Sequence, residues 1–196
     1  MKKELSEMTL EELWELFPII LKEHNPEYKN WYEIEKKELL SCIEKKDIIR
    51  ISHIGSTYVK GLIAKPTVDI LLEIDTKTNI KQLTDTLIFN GWTLMMSQSN
   101  PFFEIAFNKG YTKKGFAEKV YHLHIRYFGD WDELYFRDYL IKYPEIANEY
   151  VRLKLRLKNR YEHDRDGYTK AKTDFVSKYS KKAKQEFKNR YKLPNK

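Results

Sequence analysis

A glycine turn followed by a carboxylate on the next apolar segment is the part of this sequence best suited to chemistry. Gly55-Ser56 ends an apolar segment that begins near Ile48, and Asp69 lies inside the apolar segment that follows. Backbone N–H groups at a glycine turn can converge on a phosphate, and the Ser56 hydroxyl adds a donor. Because Gly-Ser alone usually marks an ordinary tight turn, the prediction of an anion site depends on the residues around it.

Asp69 needs a partner if its segment is a buried strand, because an unpaired carboxylate is costly there. Lys65, a histidine or a metal ion could be that partner. Strand alternation places Glu73 on the same face as Asp69, so Glu73 is a candidate metal ligand. Solvation at the end of the strand would explain Glu73 equally well.

Two histidines, His122 and His124, share one face of a predicted strand over residues 120–127, together with Arg126. Histidines at this spacing can both point into a cleft, where they bind a metal ion or donate hydrogen bonds to a phosphate. A single such histidine is more often structural. The pair is therefore a candidate second half of the site that Asp69 begins.

The periodicity of apolar residues and the turn residues predict the elements that position these side chains. The predicted strands cover 48–54, 67–74, 92–96, 102–107 and 120–127, with a short strand at 19–21 and a polar loop at 108–118. The predicted helices cover 10–17, from 26 to about 46, 79–90, 131–142, from Pro144 onwards, and 165–190. Such an order predicts an α+β domain over residues 1–196, with a core sheet at roughly 48–128 and C-terminal helices at roughly 130–190.

The charge of the chain is concentrated at one end. Residues 178–196 hold eight Lys or Arg against one acid, Glu186, which leaves 28 of the 36 basic and 28 of the 29 acidic residues in the remainder. A basic tail can bind nucleic acid, although the solvated end of a helix has the same composition. An RNA-associated protein is therefore one alternative function.

Cysteine count and hydropathy exclude several classes of protein. Cys42 is the single cysteine of the sequence, which excludes an internal disulfide and a cysteine-based zinc site. No apolar run approaches the ~18 residues of a membrane span, and the charged first residues are unlike a signal peptide. We therefore expect a cytoplasmic protein without a membrane partner.

The set and order of these motifs resemble the GrpB family, small bacterial proteins placed in the nucleotidyltransferase superfamily. The resemblance covers nearly the whole chain and departs from the family at Lys60, where proline is usual. The residues that carry it are His53-Ile-Gly-Ser-Thr57, Val59, Gly61-Leu62, Ala64-Lys65-Pro66, Val68-Asp69-Ile70, His122-Leu-His124, Phe136-Arg-Asp-Tyr-Leu140, Tyr150, Leu153-Lys154, Tyr168, Lys172 and Phe175.

This resemblance implies a nucleotidyltransferase-like mixed sheet flanked by helices, and a triphosphate held at the glycine turn. The residues implied in nucleotide or phosphate binding are Gly55, Ser56, Thr57, Lys65, Lys154 and Lys172. Asp69 corresponds to the first Mg²⁺ ligand of active members, but Leu71 occupies the position of the second carboxylate. The substitutes available as metal ligands are Glu73, Glu104, His122 and His124.

The resemblance implies transfer of a nucleoside monophosphate from a nucleoside triphosphate to an unidentified acceptor, with Mg²⁺. In that reaction Asp69 or His124 would take the acceptor's proton, and Arg137 would neutralise charge on the departing pyrophosphate. Leu71 also leaves open a second alternative, a nucleotide- or phosphate-binding module without catalysis.

Overall fold

A five-stranded mixed sheet forms the centre of the molecule in the computed structural model, which describes residues 3–192. Its strands are β1 (Ile48–Ile54), β2 (Val68–Ile74), β3 (Thr93–Gln98), β4 (Glu104–Thr112) and β5 (Gly115–Tyr127). Their spatial order is β1-β2-β5-β4-β3, and only the pairing of β2 with β5 is parallel. The predicted α+β architecture, a mixed sheet flanked by helices, is confirmed.

Seven α-helices surround this sheet: α1 (Leu10–Leu16), α2 (Tyr28–Cys42), α3 (Ile80–Phe89), α4 (Asp132–Lys142), α5 (Pro144–Tyr161), α6 (Arg165–Lys170) and α7 (Thr173–Glu186). The side chains of Thr9 and Asn79 cap the first turns of α1 and α3, since they accept hydrogen bonds from Glu12 N and Gln82 N. No helix within residues 3–192 is both long and apolar enough to cross a membrane.

The central strand β2 is covered on both faces, which explains why five of its seven residues are apolar. On one face Ile70, Leu72 and Leu123 pack with residues of α2 and α3. On the other face Leu71 packs with Ile54 and with Leu134 of α4. Complete burial of one such side chain stabilises the fold by about 1.5–3 kcal/mol. The site residues therefore stand on a rigid sheet.

Three predicted elements differ from the structure. The polar loop expected at 108–118 is mostly strand, because β4 and β5 continue past the core as a hairpin whose outer residues are partly exposed. The single helix expected over 165–190 is divided at Ala171 and Lys172 into α6, which buries Tyr168, and α7, which buries Tyr179. The strand expected at 19–21 is reduced to one bridge between Lys22 and Ala64.

Candidate anion and metal site

The turn after β1 brings its backbone against the carboxylate of Asp69. Gly55 has a φ of 72°, a conformation that favours glycine, and a Cβ at this position would collide with Asp69 Oδ2. Ser56 then begins a short 3-10 helix that ends at Tyr58. Gly55 is therefore required by both the backbone angle and the close approach, and the turn and the carboxylate form one surface.

Parallel pairing of β2 with β5 places Asp69 opposite His122, and Leu71 opposite His124. Asp69 Oδ1 lies 3.1 Å from His122 Nδ1. One possible ligand atom from each of Asp69, His122 and His124 lies within 4.8 Å of the other two. The structure thus brings together three of the five candidate metal ligands that the sequence offered.

Burial acts to raise the pKa of Asp69, but the hydrogen bond with His122 and the nearby histidine and Lys65 charges outweigh it. The pKa of Asp69 therefore lies below its ordinary value, and the carboxylate is ionised at neutral pH. An ionised oxygen beside imidazole nitrogens fits a divalent cation. Mg²⁺ typically binds through one or two carboxylates plus substrate phosphates, whereas imidazole favours transition metals. Asp69 suits Mg²⁺, and the histidines extend the fit to Mn²⁺.

Three lysines from different elements lie on the other side of the glycine turn. Lys154 of α5 is only 3 % exposed; its Nζ donates to the Ile63 carbonyl and lies 3.2 Å from Ser56 Oγ. Burial, together with the charges of Lys172 and Lys65, lowers the pKa of Lys154 to about 7. Burial is also the main cause that lowers the pKa of Lys65 to about 7 and that of Lys172 to about 8.

Aromatic rings, rather than acids, support these lysines. Lys172 Nζ lies 4.3 Å from the centroid of the Tyr168 ring, and Lys65 Nζ lies 5.8 Å from the same centroid. Lys154 Nζ lies 4.7 Å from the centroid of the Tyr150 ring. None of the three lysines forms a salt bridge with a carboxylate in the part of the chain described, 3–192. The cluster therefore holds positive charge that the protein itself does not neutralise.

The free energy of unfolding should rise as the pH is raised from about 7 to about 9. The pKa of Lys154 is about 7 in the folded protein against an ordinary value of 10.5, so the unfolded chain binds more protons across this interval. Stability then increases with pH, by up to about 1.4 kcal/mol per pH unit for this lysine. Urea unfolding at a series of pH values measures the slope, and saturating pyrophosphate should flatten it. A flat or falling stability without pyrophosphate would contradict the assignment.

Glu73, predicted as a metal ligand, is bound elsewhere. It is 0 % exposed, accepts hydrogen bonds from the Arg50 guanidinium on the neighbouring strand β1, and accepts one from Gly129 N at 3.1 Å. Arg50 and Glu73 are directly paired across the two strands. Glu73 is therefore outside the group around Asp69, because its carboxylate neutralises a buried guanidinium.

Replacement of Arg50 by methionine should lower the free energy of unfolding by about 3–5 kcal/mol, because it leaves the buried Glu73 carboxylate without its counter-charge. Urea unfolding measures the change. The matched control is Lys81→Met, which breaks an exposed ion pair with Asp85 and should change stability by no more than about 0.5 kcal/mol. Equal effects of the two substitutions would contradict this role for Arg50.

The guanidinium of Arg137, predicted as a catalytic group, donates hydrogen bonds to three other residues. Its guanidinium donates to the His53 carbonyl at 2.9 Å, to Asp138 Oδ1, and to Tyr191 Oη at 2.8 Å. It therefore connects β1 to α4 just before the glycine turn. The structure gives Arg137 a supporting position behind the turn rather than contact with Asp69.

Thr57, predicted to bind phosphate, is buried and also has its hydroxyl in use. Thr57 Oγ1 donates to the Thr67 carbonyl at 3.1 Å and lies 3.0 Å from His53 Nε2, which must therefore be the donor. Thr57 thus ties the glycine turn to the start of β2. Ser56 is the hydroxyl of this turn that lies beside a lysine ammonium group.

Position 71 holds a leucine instead of the second carboxylate, and the carboxylate of Glu104 is occupied by other partners. Leu71 is 0 % exposed in an apolar cluster, so the strand position of the second carboxylate belongs to the core. Glu104 Oε1 lies 2.9 Å from Arg126 Nη2 and 3.8 Å from His124 Nδ1. These two partners lower the pKa of Glu104 to about 2, with the nearby His124 imidazole as the largest cause.

Two residues that the sequence did not single out complete the surroundings of His122. Tyr111 Oη lies 2.9 Å from His122 Nε2, and Arg165 Nη2 donates to Tyr111 Oη at 2.7 Å. Tyr111 lies in the segment predicted as a loop, and Gly110 before it was the sequence signal of an irregular strand. Arg165 follows the helix cap Asp164 and had no distinguishing pattern.

The comparisons with known proteins agree with the family resemblance. The family model described as GrpB protein matches residues 18–182. The chain belongs to the GrpB family. Its sequence is 31% identical over 161 residues to the glutamate-rich protein GrpB of Alkalihalophilus pseudofirmus. The aligned residues cover 81% of this chain and 91% of that protein.

Two further relatives show how far the similarity extends. UPF0157 protein YqkA of Bacillus subtilis is 31% identical over 161 residues, or 80% of this chain, but only 45% of YqkA is covered. The crystal structure of conserved protein GrpB from Enterococcus faecalis superposes with a TM-score of 0.74 at 27% identity, covering 86% of this chain and 99% of that one. The fold of this GrpB family member is therefore shared by a solved relative.

Proposed function

We propose that this protein binds the phosphates of a nucleoside triphosphate between the glycine turn and the lysines, and transfers the nucleoside monophosphate to an acceptor hydroxyl. The observation that carries the proposal is the convergence of Lys65, Lys154 and Lys172 beside Ser56 and Asp69, with no salt bridge from these lysines to a carboxylate within residues 3–192. Lysines buried at this cost normally compensate a charge. A polyphosphate supplies several negative charges at once, and so matches the cluster.

Each group has a place in the proposed binding. The backbone at Gly55 and the hydroxyl of Ser56 face the phosphates, and Lys154 donates from the opposite side. Lys65 and Lys172 have the low pKa values of ammonium groups that gain full charge when an anion binds. A divalent cation at Asp69 would draw charge from the phosphoryl oxygens and so favour attack.

In the proposed reaction the acceptor oxygen forms a bond to the α-phosphorus while the bond to pyrophosphate breaks. The acceptor's proton would pass to solvent at the partly exposed side of the site, because His124 is a candidate ligand of the cation and an imidazole nitrogen that binds a cation cannot also accept a proton. The lysines neutralise the charge that develops on pyrophosphate. Arg137 supports the turn from behind, where it fixes the carbonyl of His53.

A second candidate function, nucleotide or phosphate binding without transfer, is favoured by Leu71. Active sites that use two metal ions hold them with several carboxylates. Here the second strand position is an apolar core residue, and Glu73 and Glu104 are committed to Arg50 and Arg126. One ligand carboxylate suits a single cation that positions phosphates.

Incubation with α-³²P-labelled nucleoside triphosphates, Mg²⁺ or Mn²⁺ and a panel of small-molecule and RNA acceptors distinguishes the candidates. Transfer of label with release of pyrophosphate supports the proposed reaction. Saturable binding of triphosphate without transfer to any acceptor supports the binding module instead. Absence of saturable binding, measured by calorimetry with either cation, would contradict both.

The basic tail gives less support to the RNA-associated alternative. Lys184 pairs with Asp132 and donates to the Asp130 carbonyl at 2.7 Å, and Arg190 pairs with Asp138 at 2.8 Å. These cations hold α7 and the segment after it against α4. Lys196 lies outside the described residues.

A further inference from the structure

A continuous chain of hydrogen bonds runs from helix α6 to Asp69. Arg165 Nη2 donates to Tyr111 Oη at 2.7 Å, Tyr111 Oη lies 2.9 Å from His122 Nε2, and His122 Nδ1 lies 3.1 Å from Asp69 Oδ1. The chain connects three elements, α6, β4 and β5, to the carboxylate on β2. It lies within the candidate site, yet nothing in the proposed reaction uses Tyr111 or Arg165.

The chemistry of the groups fixes the direction of every bond in this chain. A guanidinium has no acceptor, so the Tyr111 oxygen must accept from Arg165. The ionised Asp69 carboxylate only accepts, so His122 Nδ1 must donate to it, and the lone pair of a neutral imidazole then lies at Nε2, where it accepts the Tyr111 hydroxyl proton. Both nitrogens of His122 are then occupied, and neither retains a lone pair for a metal ion.

A β-bulge is what brings Tyr111 to this position. Asn108 is paired with His122 and shares its face, so regular alternation would place residue 111 on the opposite face. The register shifts between Lys109 and Tyr111, where the single residue Gly110 of β4 lies opposite four residues of β5, 117–120, and Tyr111 is turned towards His122. Gly110 makes the shift possible, because its φ is 92° and a Cβ there would collide with the Lys119 carbonyl.

The free oxygen of Asp69 points to the phosphate side of the site. Asp69 Oδ1 is the atom that faces His122, whereas Oδ2 is the atom closest to Gly55 in the turn. A carboxylate held through one oxygen presents the other in a fixed direction. This orientation gives the chain of hydrogen bonds a function at the site.

We propose that Tyr111 and Arg165 are positioning residues that occupy His122 Nε2 and hold its ring against Asp69, leaving Asp69 Oδ2 and His124 as the ligands for a cation. The part that concerns the cation rests on the proposed function, but the state of His122 does not. Positioning partners of this kind are known to tune metal sites through the group that contacts the ligand. His122 is then a positioning residue rather than a ligand.

Nuclear magnetic resonance of ¹⁵N-labelled histidines in the full-length protein, without added metal, tests the state of His122. We expect the wild type to carry the proton at Nδ1 with a hydrogen-bonded Nε2, and the Tyr111→Phe variant to shift the Nε2 resonance to that of a lone pair without a hydrogen bond. The Tyr127→Phe variant removes a hydroxyl from the same sheet without a hydrogen bond to histidine, and should leave His122 unchanged. A proton at Nε2 in the wild type, or no change in Tyr111→Phe, would overturn the inference.

Calorimetric titration with Mn²⁺ alone tests which histidine is a ligand. Asparagine can replace a donor at Nδ1, so His122→Asn should retain Mn²⁺ affinity within about threefold, whereas His124→Asn should lose roughly tenfold or more. A larger loss for His122→Asn than for His124→Asn would overturn the inference. If the wild type binds no Mn²⁺, the cation part of the proposed function fails, and the Nε2 resonance of His122 alone decides the role of Tyr111.

Discussion

Replacement of Lys154 by methionine should weaken binding of pyrophosphate and of nucleoside triphosphate by roughly 10- to 100-fold, corresponding to about 1.5–3 kcal/mol for a charge-assisted hydrogen bond. The ammonium group of Lys154 lies 3.2 Å from Ser56 Oγ, so it is the cation nearest to the turn. Methionine fills a similar volume and keeps contact with Tyr150. Calorimetric titration of the wild type and the Lys154→Met variant at pH 7 measures the loss.

Lys158, one helical turn further along α5, provides the matched control. Its Nζ lies 3.8 Å from Glu162 and its side chain is 34 % exposed, so Lys158→Met removes the same charge from the same helix outside the site. We expect Lys158→Met to retain affinity within about twofold. Equal losses in the two variants would show that general charge, rather than the buried cluster, attracts the anion.

Replacement of Asp69 by asparagine should reduce transfer of label by on the order of 100- to 1000-fold, the usual effect of removing a central electrostatic group. Asparagine retains an oxygen that can accept from His122 Nδ1, so the local structure should persist. Because the positive cluster remains, triphosphate binding measured without a divalent cation should be retained or strengthened. Loss of activity with retained binding is therefore the expected combination.

Asp75→Asn is the control for this substitution, because Asp75 follows the same strand and, among the described residues, its side chain accepts a hydrogen bond only from Lys77 N, at 2.8 Å. Asparagine makes the same turn, so activity should be unchanged. If Asp69→Asn transferred label as fast as Asp75→Asn, Asp69 would have no part in the chemistry.

Local patterns predicted the faces of the strands well. Alternation placed Asp69 on one face of β2 and the two histidines on one face of β5, and both assignments are confirmed. Their contact depends on a parallel pairing between strands that are 45 or more residues apart, which no local pattern determines. The family resemblance, rather than periodicity, associated these residues with one another.

The features that local sequence patterns did not predict depend on contacts between segments that are distant in the sequence. Glu73 had no visible partner in the sequence, because Arg50 reaches it only through the antiparallel register of β1 with β2. Tyr111 lay in a segment that reads as polar loop, and the bulge at Gly110 reverses the alternation that would have located it. Lys154 was associated with phosphate binding only by the family resemblance, because its burial depends on how α5 packs against the turn.

A crystal structure of the full-length protein with Mn²⁺ and a non-hydrolysable nucleoside triphosphate tests the central claim most directly. We predict phosphate oxygens within hydrogen-bond distance of Ser56 Oγ and Lys154 Nζ, and an anomalous Mn²⁺ signal at Asp69 Oδ2. Phosphates bound away from the glycine turn, for example along the basic residues of α7, would contradict the proposed site.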